Sequence, residues 1–343
     1  MIRFLTLFFL FQLTLFGCQN NNDSQINDIV ENKNHFSIFK YEINSIKNLF
    51  LERYGFIEAD NEVEEIKKLL IDELYNQDMD YIFNIIFPTP EFTVGNSPKL
   101  LVTSPRNKIE RQSELLINSK IDLNSIEKIE KKIKDEENLS SVVIDIGGIA
   151  AYPAIVKESN NPKKLFLTFG HEWLHQYLIF YPLGRSYFSD IKMKEINETL
   201  ANIFSEKLLI SLCLKEFELK EAICSIKYKE KNEFDYSNFM KNLREDVDSF
   251  LLKKKILAAE ELMKEATLEL NNNGYNIRKI NQAWFAFNGT YADSPSSTSN
   301  VDSELLKFID NQSSLKEAID KLKNIKSSKD YYNLIKDSAE IKK

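Results

Sequence analysis

Between Leu165 and Tyr181 the chain is apolar enough to be a core helix, ends at Pro182, and yet carries Gly170-His171-Glu172-Trp173-Leu174-His175 in its middle. On a helix, residues four apart lie one above the other, so the imidazoles of His171 and His175 can reach one ion at about 2.0 to 2.1 Å each. Glu172, one step round, can face a water on that ion, while Trp173 and Leu174 point into the core. The chain contains only 3 His. Two of them, buried with an acid on an apolar helix, would be costly without a partner ion. Ordinary helix residues matching the pattern by accident are the competing explanation. A membrane span holding the ion is another, but nothing else in the chain approaches the about 20 apolar residues that a set of such spans needs.

The rest of the sequence reads mostly as helix. Phe39 to Arg53 closes at Gly55, Asn61 to Asn76 has helical apolar spacing, and Asn124 to Asn138 is charged and amphipathic. A long helical segment runs from Tyr236 to Leu270 and stops at Asn271-Asn272-Asn273-Gly274, with two more helices near Ser303 and Ser314. Ser314 and Glu317 form a capping box. Strand signals are local: Leu100 to Thr103 before Pro105, and the β-branched run Ser141 to Ile146 leading into Gly147-Gly148. The glycine-rich Gly147 to Tyr152 segment is expected as an edge strand that a substrate backbone could join, or as a plain buried turn.

Ample apolar and aromatic material, with 24 Phe and 14 Tyr, predicts a folded body, and a net charge of −7 leaves no basic footprint for nucleic acid. At the start, Arg3 precedes an apolar run from Phe4 to Phe16, the length of a signal-peptide core. Leu15-Phe16-Gly17-Cys18 resembles the lipobox of bacterial lipoproteins, which implies a signal peptide over 1–17, a lipid on Cys18, and a protein exported and anchored to a bacterial membrane. The polar, Asn-rich chain over 18–36 would then be a tether. The remaining residues, 37–343, are expected as one folded domain with an N-terminal helical part (37–140), a metal-site core (141–235) and a C-terminal helical part (236–343). Cys213 and Cys224 are the other two thiols, open to a disulfide or to burial as free cysteines.

No His follows His175, and Leu178 and Tyr181 stand where a metzincin would have its Gly and its third His, so a carboxylate must complete the site. Asn197-Glu198-Thr199-Leu200-Ala201-Asn202, in a helix-like run from Met193 to Leu214, resembles the N-E-x-x-x-[DN] segment of gluzincins, the thermolysin-like peptidases. That resemblance implies Glu198 as a zinc ligand and Asn202 as its supporting partner. The residues read alone agree: Glu198, Asn202 and Ser205 share one helix face and Ile196, Leu200, Ile203 and Phe204 another, and Asn202 could accept the far N–H of His171. Glu195, one turn earlier, competes for the ligand role. Gly289-Thr290-Tyr291-Ala292-Asp293 is similar to the G-T-x-D segment of aspzincins, with Asp293 one residue late. The run Ile280 to Tyr291 resembles the C-terminal segment of a bacterial family assigned as zinc aminopeptidases.

The expected fold class is α+β, predominantly helical and zincin-like, with a small sheet beside the metal-binding helix. The expected chemistry is hydrolysis of peptide bonds with one Zn2+, held by His171, His175 and Glu198, with Glu172 as general base. Tyr291, or Tyr187 beside Arg185, is expected to steady the oxyanion. A free amine of the substrate would need an acid near the edge strand, where Asp145 and Glu158 lie. The alternative is a lipid-anchored binding or scaffold protein with a structural zinc, which would need a closed shell of four ligands.

Overall fold

The computed structural model describes residues 22–53, 61–79, 85–215, 221–224 and 234–340. The signal-peptide stretch, Cys18 and Gly55 lie outside the described residues. Helices α1 (Asn22–Ile29), α2 (Ile38–Arg53) and α3 (Asn61–Asn76) precede strands β1 (Phe92–Gly95), β2 (Lys99–Pro105) and β3 (Ser113–Ile117). Helix α4 (Leu123–Glu137) leads to β4 (Leu139–Asp145), β5 (Gly148–Ile149) and β6 (Ala154–Lys157). Only helices follow among the described residues: α5 (Pro162–Leu178), α6 (Ile191–Lys215), α7 (Tyr236–Leu252), α8 (Ile256–Asn272), α9 (Gln282–Asn288), α10 (Val301–Asp310), α11 (Leu315–Leu322) and α12 (Ser328–Glu340), with single helical turns at Pro182–Arg185 and Glu221–Cys224. The fold is thus α+β and predominantly helical.

Two small sheets flank the long helices. One is antiparallel with order β3-β2-β4, and the other has order β1-β6-β5, with β1 parallel to β6 and β5 antiparallel at its edge. Asn161 and Pro162 start α5: the Asn161 side chain accepts from Lys164 N, and Pro at the first turn loses no bond that the helix could make. Its Phe166, Phe169, Trp173 and Leu174 are all fully buried, against Leu200 and Phe204 of α6 and Leu70 and Leu74 of α3. The Trp173 indole N–H donates to Pro88 O at 2.8 Å. Trp173 and Leu174 therefore face inward, as the helical spacing requires. Gly170 lets α5 and α6 approach closely, since a Cβ there would stand 3.1 Å from Ser205 Cβ. Helices α10, α11 and Tyr331 of α12 close the same core.

Three differences from the sequence reading have physical causes. The stretch expected as a tether is, from Asn22 onward, a helix whose Ile26 and Ile29, with Val30, bury against β2, β3 and α4, a short apolar set hidden among Asn and Asp. The segment from Tyr236 to Leu270 is two helices, α7 and α8, broken at Lys253 to Lys255, where Lys254 takes a left-handed φ of 57°. Both halves keep a helical apolar stripe, and folding back buries Met240, Val247, Ala259 and Met263 against each other. At Ser314 only half of the capping box forms: its hydroxyl accepts from Glu317 N at 3.1 Å, while the Glu317 carboxylate turns to Ser313 N at 3.0 Å.

Cys213 of α6 and Cys224 are joined in a disulfide with a Cα–Cα distance of 5.6 Å. The segment before α9 is pinned by polar contacts: buried Glu130 accepts from Lys279 at 2.9 Å and from Val143 N at 2.8 Å, and Asn281 donates to Ser141 O at 2.8 Å. These bonds seat α9 on β2 and β4 and deliver residues 289–293 to the side of α6.

Candidate metal centre

Helices α5 and α6 bring His171, His175 and Glu198 together, the one group of possible metal donors of its kind among the described residues. His175 Nε2 is 3.1 Å from His171 Nε2, and Glu198 Oε2 is 3.4 and 3.6 Å from the two nitrogens. Tetrahedral bonds of about 2.0 to 2.1 Å separate ligand atoms by about 3.4 Å, so a zinc-sized cation fits this triangle at ordinary bond lengths. The side chains are 14, 14 and 8% exposed, which leaves the group reachable from one side.

The proton positions follow from the outer partners. Asn202 Nδ2 lies 3.2 Å from both Asp293 oxygens, and because a carboxylate can only accept, the amide must turn its NH2 there. Asn202 Oδ1 then faces His171 Nδ1 at 2.8 Å, so that nitrogen donates, and a neutral His171 keeps its lone pair on Nε2, toward the centre of the triangle. Burial alone would raise the Glu198 carboxyl, but positive charge facing it reverses this: imidazoles protonated at that side, first His175 and then His171, hold it well below the usual carboxylate range. Glu195, the competing acid, pairs with Lys192 at 2.8 Å and belongs to no donor group.

Glu172 lies beside the triad, its carboxyl against the backbone of Gly148 on the edge strand β5. Burial pushes its pKa up to about 7, with the Glu198 charge adding to the rise and His171 opposing it. Tyr187 donates to Glu198 Oε1, and Tyr291 lies close enough to feel the Glu198 charge. Burial first, and then the Glu198 charge, raise both phenols well above the ordinary value, so they are neutral donors. Arg185 is exposed. Asp145 bonds Lys99 and Lys157, the latter at 2.8 Å, so its charge is already matched by two cations.

Behind the tyrosines lies an ion cluster that no motif or periodicity announces. Arg111 donates to Glu114 at 2.9 Å and to Thr290 at 3.2 Å, and Lys194 on α6 pairs with the same Glu114. Burial would raise Glu114, but Arg111 and Lys194 outweigh it and hold the carboxyl below its usual range. The ammonium of Lys194 sits 5.2 Å from the Tyr187 ring centroid. Lys194 is shifted down by its burial and then by Arg111, one carboxylate being shared by two cations.

Compared with family models, curated proteins and solved structures, the chain gives no match.

Proposed function

We propose that the protein is a zinc-dependent, zincin-like metallopeptidase in which His171, His175 and Glu198 hold the metal and Glu172 is the catalytic base. The convergence of two imidazole nitrogens and one carboxylate oxygen in a triangle of 3.1, 3.4 and 3.6 Å carries the reading. Two imidazoles and a carboxylate are a donor set suited to zinc, and three protein donors are the pattern of a site that keeps a position for water or substrate. A structural zinc would need a fourth protein ligand, and the described residues offer three.

A zinc ion bound there would supply Lewis acidity, acidifying a water and polarising a carbonyl. Glu172, poised near neutrality, would take a proton from such a water and return it to the leaving amine. Tyr187 holds Glu198 Oε1 and so fixes the ligand carboxylate. Tyr291, the other buried phenol that feels the Glu198 charge, is the donor we assign to the oxygen that gains charge. A peptide is the substrate class favoured by β5, an edge strand beside Glu172 that an extended backbone could join by strand pairing. The first residues, with Cys18 as lipid acceptor, would anchor the enzyme at a bacterial envelope. No described helix is long and apolar enough to cross a membrane.

The test is Glu172→Gln assayed on unstructured peptides with metal content measured alongside. The reading expects zinc to stay bound and hydrolysis to fall by on the order of 100- to 10,000-fold. Hydrolysis at the wild-type rate in that variant would overturn it.

A further inference from the structure

The imidazole–metal pair in such a centre is strengthened when the far ring N–H meets a carboxylate, because negative charge there makes the ring a better donor. His171 meets a neutral carboxamide instead, that of Asn202. Behind it stands the carboxylate of Asp293, which accepts from Asn202 Nδ2 with both oxygens at 3.2 Å. Asp293 is held in place independently of this contact: the preceding Ala292 N donates to Thr199 Oγ1 at 3.1 Å, one turn before Asn202 on the same helix. The negative charge missing beside the histidine thus arrives one residue further out, from a segment 91 positions away in sequence.

We propose that Asp293 is a positioning residue for the metal centre, acting through Asn202 to orient His171 and to raise its strength as a ligand. The amide transmits the charge by polarisation: Nδ2–H leans on the carboxylate, Oδ1 gains electron density, and the His171 Nδ1–H donates into it more strongly. Asp293 is exposed, so water screens part of its charge. Glu206 and Asp302 also feel Asp293: burial raises both carboxyls and its charge raises them further, which places three acids around this end of the relay.

The inference rests on the metal reading of the triad, and two measurements keep them separate. The first is Zn2+ affinity by competition with a chromophoric chelator. Asp293→Asn and Asp293→Ala are expected to weaken it about tenfold, and the exchange Asn202→Asp with Asp293→Asn, which moves the charge next to His171, is expected to restore it to within about twofold of wild type. The second uses metal-free protein labelled with 15N-histidine. The His171 Nδ1–H resonance is expected to move in Asp293→Asn and to return toward its wild-type position in the exchange variant. A Zn2+ affinity and a proton resonance both unmoved by Asp293→Asn, or an exchange variant that folds and restores neither, would overturn the relay. A wild-type protein that fails to bind Zn2+ would overturn the metal reading, and the resonance would still decide whether Asp293 acts on His171.

Discussion

Gly148 has no side chain where Glu172 needs the space. A Cβ at that position would collide with Glu172 Oε1 and stand 2.8 Å from its Cδ. Gly148→Ala is therefore expected to displace the base while leaving the donor triangle intact, with kcat falling on the order of 100-fold and zinc content unchanged. Wild-type kcat in that variant would separate Gly148 from the chemistry. The two tyrosines divide by the same pair of readouts. Tyr291→Phe is expected to lower kcat about 100-fold at unchanged metal affinity, since it removes one donor to a developing charge. Tyr187→Phe is expected to weaken zinc about tenfold, since it frees a ligand carboxylate. The reverse assignment would follow if the two variants exchanged phenotypes. At this scale the legible residues were those tied by helical period: His171 to His175, and Glu198 to Asn202, each four apart. Arg111, Glu114 and Lys194 were not legible, because their meeting depends on a strand and a helix distant in sequence. Asp293 was visible only as a doubtful ligand, and the structure gives it a place behind Asn202.

Helix α6 carries Asn197, Glu198, Thr199 and Asn202 and is tied down at both ends. Asn197 donates to Leu183 O at 3.1 Å near its start, and the Cys213–Cys224 disulfide fastens its far end. Closing a loop of sequence separation 11 restricts the unfolded chain by about 2 to 3 kcal/mol. Cys213→Ser with Cys224→Ser is expected to lower unfolding free energy by that amount in urea titrations while zinc affinity stays within about twofold; an unchanged midpoint would mean that the bridge adds nothing to stability. The long helices were legible because their apolar stripes extend over several turns. Strands β1, β3 and β6 were not. They span 4, 5 and 4 residues, too few for an alternation to stand out, and their pairing partners lie far along the chain. The break at Lys254 escaped notice because the stripe continues on both sides of it.

In the whole molecule helix α2 braces the segment that follows the edge strand. Glu42 of α2, buried, accepts from Tyr152 N at 3.0 Å, just past β5. Burial lifts its carboxyl from 4.5 to about 7, the Tyr152 bond opposing the rise. The folded state then binds more protons than the unfolded chain across that window, so this residue's contribution to stability is greatest below pH 4.5 and is lost as pH rises to about 7. Urea titrations of Glu42→Gln should remove up to about 3 kcal/mol of the wild-type pH dependence between these limits, and a parallel dependence in both proteins would contradict the assignment. The α+β class with a dominant helical content was legible from sequence; how α9 and residues 289–293 reach α6 was not, since it depends on Glu130 and Asn281 finding partners across the fold.

The central claim is that one cation sits among His171, His175 and Glu198. Its most direct measurement is the metal content of purified protein and of its Glu198→Ala and Glu195→Ala variants. One zinc per chain in the wild type and in Glu195→Ala, with loss in Glu198→Ala, is the expected result. A wild type without stoichiometric metal, or full retention in Glu198→Ala, would contradict the account.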